Sequence, residues 1–264
     1  DAAGLCLKSG NSCILRGGTE SINTNLSIYR SLLKGVEISE APNKSIQLVE
    51  TTDREAVKKL LSMKEWVDVV IPRGGKGLVQ LVSDEAKVPV IKHLDGICHV
   101  YIDEICDETK AVSISVNAKT YRFGICGAME TLLVDKKIAK SILPKIYDEF
   151  IKEKVEMRGC NKTKEIISIV SASDEDWVTE YLAPIISIKV VDGLEEAINH
   201  INKFGSSHSD CIVTEDQAKA ELFLSKVDSS SVMHNVPTCW ADGYEYGLGA
   251  EVGISTDKFH ARGP

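Results

Sequence analysis

A parallel α/β fold is predicted for this chain by three features of its sequence. Short apolar runs typical of strands alternate with stretches of helical spacing. Turns that contain glycine follow the first and third of these runs, at residues 16–18 and 73–77. The length of 264 residues is sufficient for two ordinary domains. Because strands and helices alternate, we expect a sheet of parallel strands with helices packed against it.

The first half of the chain contains four predicted strands. Residues 21–33 have helical spacing, and a further helix begins at Leu78. Thr52 and Glu55 form a typical helix start, because a capping side chain and an early acid satisfy free amide groups. The predicted strands are residues 12–15, 46–49, 67–71 and 88–91.

The second half continues the alternation of strands and helices. One segment shows the amphipathic pattern clearly, because Leu194, Ala197 and Ile201 share one face of a helix. The predicted strands are residues 100–102, 187–191, 211–214 and 231–234, and the predicted helices are residues 110–119, 139–152, 194–203 and 217–227. Residues 127–134 form an apolar run of mixed character. The join near residues 98–108 is the candidate domain boundary.

Composition and charge exclude several classes of protein. Hydrophobic residues make up 43% and charged residues 27% of the chain, which is typical of a globular protein. The formal net charge of -8 argues against nucleic-acid binding, which needs a basic surface. No apolar run has membrane-spanning length, and no secretion leader begins the chain. We therefore expect a cytosolic or organellar protein that acts without nucleic acid or a membrane.

The eight cysteines are scattered along the chain, and no two of them form a Cys-x-x-Cys pair. Structural zinc sites of the ribbon or finger type need such close pairs, and the six histidines lack His-x-x-x-His spacing. No metal site is therefore predicted. Because the chain is large and lacks a secretion signal, we expect reduced thiols rather than disulfides.

One cysteine and the two glycine turns are candidates for chemistry. Cys126 lies between Gly124 and Gly127, and a tight turn lets a nucleophile protrude while nearby amides face an oxyanion. A buried cysteine at an ordinary turn fits the same residues. The turns at residues 16–18 and 73–77 can bring amides close to a phosphate. Neither has the three-glycine dinucleotide fingerprint, and a glycine turn in an α/β fold is more often an ordinary turn.

Ordered motifs run along almost the whole chain. In the first half they are Leu7-Lys8-Ser9-Gly10-Asn11, Leu15-Arg16-Gly17-Gly18, Ile71-Pro72-Arg73-Gly74-Gly75 and the stretch from Gly96 to Asp103. In the second half they are Asn117-Ala118-Lys119-Thr120, Met129 to Val134, Thr179-Glu180-Tyr181-Leu182, His208-Ser209, Ile212 to Asp216, Gly247 to Thr256 and His260 to Pro264. In these motifs the chain resembles the gamma-glutamyl phosphate reductases (glutamate-5-semialdehyde dehydrogenases) of the aldehyde dehydrogenase superfamily.

The resemblance implies an aldehyde-dehydrogenase-like α/β fold. A Rossmann-type cofactor domain, incomplete in this chain, would be followed by an α/β catalytic domain. Residues 1–103 would form part of the nucleotide-binding domain, and residues 104–241 the catalytic domain with the nucleophilic cysteine. Residues 242–264 would be a glycine-rich segment that returns toward the cofactor and the active-site cleft. We expect the chain to be an internal piece of a longer protein, which would be a homo-oligomer when full length.

The same resemblance implies an activity in proline biosynthesis. This activity is the NADPH-dependent reduction of L-glutamyl 5-phosphate, a small-molecule substrate, to glutamate 5-semialdehyde through a cysteine thioester in the cytoplasm. Related oxidising dehydrogenases need a carboxylate that activates water, but the corresponding segment here is Lys92-His93. A reductive enzyme delivers hydride to the thioester instead, so the missing carboxylate fits reduction.

The resemblance also assigns roles to individual residues. Cys126 matches the nucleophile, and Asn117 matches the side chain that shares the oxyanion hole with the Cys126 amide. Lys8 would contact the adenosine ribose or its 2′-phosphate. The full set of cofactor-binding residues is Lys8, Gly17, Gly18, Arg73, Gly74 and Gly75, and the substrate-binding residues are Ser255, His260 and Arg262.

Two departures from the family pattern keep other functions open. Cys239 stands where the family usually has an arginine, and Gly127 where it usually has an asparagine. A neutral thiol cannot replace an arginine that holds a carboxylate or a phosphate. The alternatives are therefore a catalytically impaired or non-catalytic relative, or a reductase for another acyl phosphate.

Overall fold

The structure is a computed structural model that describes residues 2–258, and its contacts divide the chain into two units. The first unit extends to Lys92 and includes Ala250–Gly253. The second unit consists of His93–Gly249 and, within the described residues, residues 254–258.

The first unit is built around a short parallel strand pair and two small cores. Its helices are α1 (Ala2–Lys8), α2 (Ile22–Glu37), α3 (Glu55–Ser62) and α4 (Lys76–Glu85), and its strands are β1 (Cys13–Leu15) and β2 (Ile46–Leu48). The strands pair in parallel with Cys13 opposite Ile46. Ile46 packs with Ala3 and Val36 in one core, so the strand pair anchors α1 and α2.

Val70 and Val90 form a single parallel bridge instead of the two full strands predicted around them. That part of the prediction is wrong, because Pro89 has no amide hydrogen and cannot extend a ladder of hydrogen bonds. The Pro89 carbonyl can still accept a hydrogen bond, and the Val70 amide donates to it at 2.9 Å. Val90 packs with Leu61 of α3 and Val82 of α4, which form the second core.

The second unit contains a sheet of seven parallel strands, which confirms the predicted parallel α/β fold. Its strands are β3 (Cys98–Ile102), β4 (Met129–Asp135), β5 (Glu156–Gly159), β6 (Val170–Ser171), β7 (Ile185–Val191), β8 (Ser209–Val213) and β9 (Ser231–His234). Its helices are α5 (Glu108–Thr120), α6 (Ala139–Lys152), α7 (Asn161–Lys164), α8 (Leu194–Phe204) and α9 (Gln217–Lys226). The strand order is β6-β5-β7-β4-β3-β8-β9. Among the described helices, none combines the length and apolar composition of a membrane span.

Helices cover both faces of this sheet. Successive side chains of a strand point to opposite faces, and β3 shows the result. Val100 and Ile102 pack with residues of α5 and α6, whereas Tyr101 packs with Ile201 of α8 and Phe223 of α9. Every residue of β3 and β4 is buried. This two-sided burial explains the nearly continuous apolar runs by which such strands are recognised.

The sequence does not predict β5, α7 or β6. β5 has the polar residues Glu156 and Arg158 in alternate positions, so it lacks an apolar run. β6 has only two residues, both exposed, and lies at the edge of the sheet. Edge strands meet solvent and are commonly short and polar, which weakens their signal in a sequence.

The division between the units falls earlier in the chain than the candidate boundary. β3 pairs with β4 on one side and β8 on the other, so it is an inner strand of the second unit. Residues 93–103 thus belong with the second unit, although the sequence assigns them to the stretch 1–103. The roles assigned to 1–103, 104–241 and 242–264 stay predictions.

His200 of α8 is buried and is expected to make the fold sensitive to acid. Its ring centroid lies 4.7 Å from that of Phe204 and 5.5 Å from that of Trp177. Burial, together with the neighbouring Lys189 and Lys203 charges, lowers the pKa of His200 from 6.5 to about 3. The unfolded chain therefore takes up this proton at a higher pH than the folded chain does.

The free energy of unfolding is expected to fall as the pH drops from about 6.5 toward 3, by up to ~1.4 kcal/mol per pH unit from His200. Urea unfolding of the wild type between pH 7 and pH 4 measures this slope. His200→Phe, and His200→Gln as a polar counterpart, are expected to flatten it. A slope that stays the same in both variants would contradict the assignment.

Candidate active site

Cys126 lies in a tight turn between α5 and β4 and is half-buried. The backbone of Gly96 packs directly against it, because a Cβ on Gly96 would lie 2.0 Å from the Cys126 carbonyl oxygen. On the other side, a Cβ on Gly127 would lie 3.3 Å from the Cys239 Cα. The turn is therefore enclosed by backbone on both sides, and glycine is needed at position 96.

Hydrogen bonds fix the segment that contains Gly96. The Gly96 amide donates to Glu180 Oε1 at 2.8 Å, and the Ile97 amide donates to Ser206 Oγ at 2.8 Å. Cys98, at the start of β3, donates its thiol to the Cys126 carbonyl at 3.1 Å. The start of strand β3 thus holds the backbone of the Cys126 turn through this hydrogen bond.

Two histidines lie beside Cys126. One ring nitrogen of His93, one of His208 and the Cys126 Sγ all lie within 4.8 Å of one another. The two imidazole rings meet edge to face with centroids 5.2 Å apart. The thiol is therefore within reach of proton-accepting groups after a small movement or through one water molecule.

His208 is held in a defined orientation. Its Nδ1 lies 2.9 Å from Ser209 Oγ and 3.6 Å from Cys98 Sγ. Burial lowers the pKa of His208 from 6.5 to about 4, so the ring is uncharged at neutral pH. Its Nε2 is buried and has no hydrogen-bond partner among the described residues.

The sheet topology explains why these three residues meet. Cys126 lies shortly before β4, His93 before β3 and His208 immediately before β8. These strands are neighbours in the order β4-β3-β8. Because parallel strands begin at the same edge of a sheet, the residues before them converge there.

Burial makes several of the other thiols less acidic. It raises the pKa of five cysteines above the ordinary value of 9.0, to about 11 for Cys106 and about 12 for Cys211. The other three are Cys13, Cys98 and Cys239. These thiols stay protonated at neutral pH, which makes them poor nucleophiles.

Asn117 lies near the end of α5 and is connected to the cysteine turn through Cys239. The Cys239 thiol lies 3.5 Å from Asn117 Oδ1, a long contact in which the thiol donates. Cys239 also borders Gly127, as described above. With Oδ1 accepting from the thiol, the Asn117 amide group keeps its N–H donors for another partner.

A buried ion pair lies between α5 and β4. Lys119 Nζ and Glu130 Oε2 are 2.5 Å apart, with side chains 0% and 1% exposed. Glu130 also accepts from the Leu182 amide at 3.3 Å. Burial raises the pKa of Glu130 to about 7 even though Lys119 opposes the shift. The pair thus ties the helix that carries Asn117 to the strand that follows Cys126.

The predicted cofactor residues all lie in the first unit. Gly17 and Gly18 follow β1, and Gly74 and Gly75 precede α4. Lys8 ends α1 and is exposed, as are Arg73, Gly74 and Gly75. Gly75 caps α4 without a side chain, and a Cβ there would meet nothing within 4 Å, so this helix start is open.

The predicted substrate residues are only partly described. Ser255 is half-buried and accepts the Asp257 amide at 3.1 Å through its Oγ. His260 and Arg262 lie outside the described residues. Sequence reasoning did not assign His93 and His208 to the site. Their place before neighbouring strands is the signal that could have found them, once the strand order was known.

Known proteins are similar to this chain over its whole length. The family described as "Aldehyde dehydrogenase family" matches residues 2–183 and 165–247. The crystal structure of gamma-glutamyl phosphate reductase from Thermotoga maritima is 46% identical, with a TM-score of 0.95 over 100% of this chain. This chain spans 64% of that protein's length.

Two more distant structures share the fold. An acetylating aldehyde dehydrogenase from Geobacillus thermoglucosidasius is 21% identical, with a TM-score of 0.67, and the match covers 95% of this chain and 63% of that one. The glyceraldehyde-3-phosphate dehydrogenase GapN from Methanocaldococcus jannaschii, complexed with NADP, is 17% identical with a TM-score of 0.65. That match covers 87% of this chain and 59% of that one.

Proposed function

Because the chain belongs to the aldehyde dehydrogenase family, we propose that it is the reductase part of an enzyme that converts L-glutamyl 5-phosphate to glutamate 5-semialdehyde. The likeness to the reductase from Thermotoga maritima over the whole chain supports this substrate. The observation that carries the proposal is the Cys126 turn, with His93 and His208 beside the thiol. The activity belongs to the complete polypeptide, of which this chain matches part.

Cys126 acts as the nucleophile in this proposal. Its thiolate attacks the acyl carbon, the C–O bond to phosphate breaks, and inorganic phosphate leaves as the thioester forms. NADPH, when bound, supplies the hydride that reduces the thioester to the aldehyde. The thiolate leaves as the aldehyde forms and is ready for the next turnover.

An oxyanion develops on the same oxygen in both steps, so one set of donors can serve both. The Cys126 amide and the Asn117 side chain supply these donors in this proposal. The contact between Cys239 and Asn117 Oδ1 supports the role, because it orients the Asn117 amide and leaves its N–H groups available.

The thiol proton needs an acceptor, and the two neighbouring histidines are the candidates. His93 is the acceptor in this proposal, because a nitrogen of its ring lies within 4.8 Å of Cys126 Sγ. Burial lowers the pKa of His208 to about 4, so His208 is uncharged at neutral pH. No carboxylate belongs to this cluster among the described residues, and His93 stands in the segment where oxidising relatives carry one. The cluster thus lacks the carboxylate that oxidising relatives use to activate water, which favours hydride transfer over hydrolysis.

The residues of the first unit have the charge and backbone geometry that suit dinucleotide binding. The start of α4 has no side-chain cap and can direct backbone amides at a pyrophosphate, and Gly74 and Gly75 let the backbone approach it closely. The Lys8 and Arg73 side chains are exposed and carry positive charge. Lys8 favours NADPH over NADH in this proposal, because its charge can pair with a 2′-phosphate.

Further parts of the proposal follow from the same likeness. Ser255, with His260 and Arg262 from beyond the described residues, would hold the substrate. The complete protein would act as a homo-oligomer in the cytoplasm, on a small molecule, in proline biosynthesis.

Cys239 supports a second candidate function. It stands in place of the family arginine, is 9% exposed and contacts Asn117 instead of presenting a charge. A chain without that charge could act on another acyl phosphate, or bind the cofactor without turnover.

The reverse reaction tests these candidates in the complete protein. We expect phosphate-dependent oxidation of glutamate 5-semialdehyde with NADP⁺, with kcat/KM about 10–200-fold above that for aspartate 4-semialdehyde, which is one methylene shorter. Acetaldehyde and butyraldehyde complete the panel, and omission of phosphate is the control. Preference for another aldehyde would favour the other acyl phosphate, and cofactor binding without turnover would favour the non-catalytic relative.

A further inference from the structure

The thiol and the two imidazoles at the Cys126 turn are also side chains of the types that bind metal ions. A nitrogen of His93, a nitrogen of His208 and Cys126 Sγ lie within 4.8 Å of one another. Zn²⁺ prefers thiolate and imidazole ligands, and open zinc sites typically have three protein ligands drawn from histidine, cysteine and acidic residues. From this geometry we propose that His93, Cys126 and His208 form a zinc-binding site, and that Zn²⁺ reversibly inhibits the enzyme by holding its nucleophile.

The hydrogen bonds of both histidines prepare them as ligands. His93 Nδ1 lies 3.4 Å from the Ile254 carbonyl, which can only accept, so Nδ1 carries the proton in this contact. His208 Nδ1 lies 2.9 Å from Ser209 Oγ, which can accept in the same way. In each ring, Nε2 is then the nitrogen with a free lone pair. Metal-binding histidines are typically oriented through their second nitrogen in this manner.

His208 provides an independent reason to expect a ligand. The residue is 1% exposed, and its Nε2 has no hydrogen-bond partner among the described residues. A buried polar atom without a partner costs free energy, which a bound metal ion would recover. Among the described residues, no other group of three histidine, cysteine or acidic side chains brings its ligand atoms together in this way.

The distances are compatible with a metal after modest side-chain rotation. Zn–N bonds of about 2.0–2.1 Å and Zn–S bonds of about 2.3 Å place tetrahedral ligand atoms roughly 3.3–3.6 Å apart. Since all three atoms lie within 4.8 Å of one another, the cluster must contract by at most about 1.5 Å. Three protein ligands leave the fourth position to water, which makes the site open and the ion exchangeable.

The binding step is an exchange of a proton for a metal ion. The Cys126 S–H bond breaks, its proton goes to solvent, and the sulfur lone pair forms the bond to zinc. No atom is oxidised or reduced. A zinc-bound sulfur cannot attack an acyl phosphate, so turnover stops until a chelator removes the ion. Only the inhibition rests on the proposed function, because zinc binding is measurable without substrate.

Metal titration of the complete, reduced protein tests the site directly. We expect one Zn²⁺ per chain in equilibrium dialysis, and Co²⁺ is expected to give a sulfur-to-cobalt charge-transfer band with tetrahedral d–d bands. Cys126→Ala, His93→Asn and His208→Asn should each weaken binding by at least about 100-fold, because losing a ligand costs more than losing an outer partner. Cys160→Ser and His234→Asn, half-buried residues outside the cluster, are matched controls and should bind as the wild type does.

A second measurement uses the wild type alone, so that a poorly folded variant cannot obscure the result. Iodoacetamide labelling of Cys126, followed by peptide mass spectrometry, is expected to slow at least tenfold with one equivalent of Zn²⁺ and to recover with EDTA. Absence of zinc binding, or zinc binding that leaves Cys126 labelling unchanged, would overturn the proposal. Zinc binding in a protein that lacks reductase activity would instead refute the proposed function and leave the metal site standing.

Discussion

Replacement of Cys126 by serine is expected to lower kcat of the complete enzyme by about 10⁴-fold or more. A serine hydroxyl is far less acidic than a thiol, and neither His93 nor His208 would make it an alkoxide at neutral pH. The fold should tolerate the change, because serine has nearly the shape of cysteine and the site is half-buried. Steady-state assays of the semialdehyde oxidation measure the loss, and circular dichroism with thermal unfolding checks the fold.

Cys160→Ser is the matched control for this substitution. Cys160 is also half-buried, but its sulfur lies 3.3 Å from Thr163 Oγ1, away from the three-residue cluster. It should keep the activity of the wild type. Iodoacetamide should also label Cys126 fastest among the eight thiols. Equal losses in the two variants, or full activity of Cys126→Ser, would remove Cys126 from the mechanism.

Replacement of Lys119 by methionine is expected to lower the free energy of unfolding by about 3–5 kcal/mol. The methionine fills most of the volume but leaves Glu130 buried without its cation. Burial already raises the pKa of Glu130 to about 7, and loss of Lys119 should raise it further, so the carboxyl must take up a proton. Urea unfolding at pH 7.5, where the unfolded glutamate is ionised, measures the full loss.

Two further variants separate the ion pair from simple packing. The double variant Lys119→Met with Glu130→Leu should recover much of the loss, because it removes the stranded carboxylate as well. The exposed pair Lys110–Glu215, with N and O 2.6 Å apart, provides the comparison. Lys110→Met should change stability little, because solvent screens exposed charges. Equal effects of Lys119→Met and Lys110→Met would show that the buried pair has no special role.

Much of the fold could be predicted because the central strands carry the strongest signal. β3, β7 and β8 are largely buried on both faces, so each contains a short apolar run, such as residues 100–102 in β3 and residues 211–213 in β8. The comparisons confirm the predicted fold class and the resemblance on which the more detailed expectations rest. The polar edge of the sheet, β5 and β6, gives no such signal, and Pro89 limits pairing at Val90.

The site could be predicted only where local sequence defines it. Gly124 and Gly127 mark the Cys126 turn, and the resemblance to known reductases implies the role of its cysteine, which stays a prediction. His93 and His208 lie far from Cys126 along the chain, and only the order of parallel strands brings them together. The contact of Cys239 with Asn117 is equally long-range. Such contacts depend on tertiary structure, which no spacing within a single segment reveals.

The three residues of the candidate site precede three neighbouring strands, which has a consequence for how such a site can evolve. Each group is carried by its own connecting segment, whereas the ladder of β4, β3 and β8 holds these segments in place. A point mutation in one segment can therefore alter acidity, ligand choice or substrate preference without disturbing the sheet. Position 96 is the exception, since any side chain there would collide with Cys126. Natural variation should be least tolerated at that one glycine.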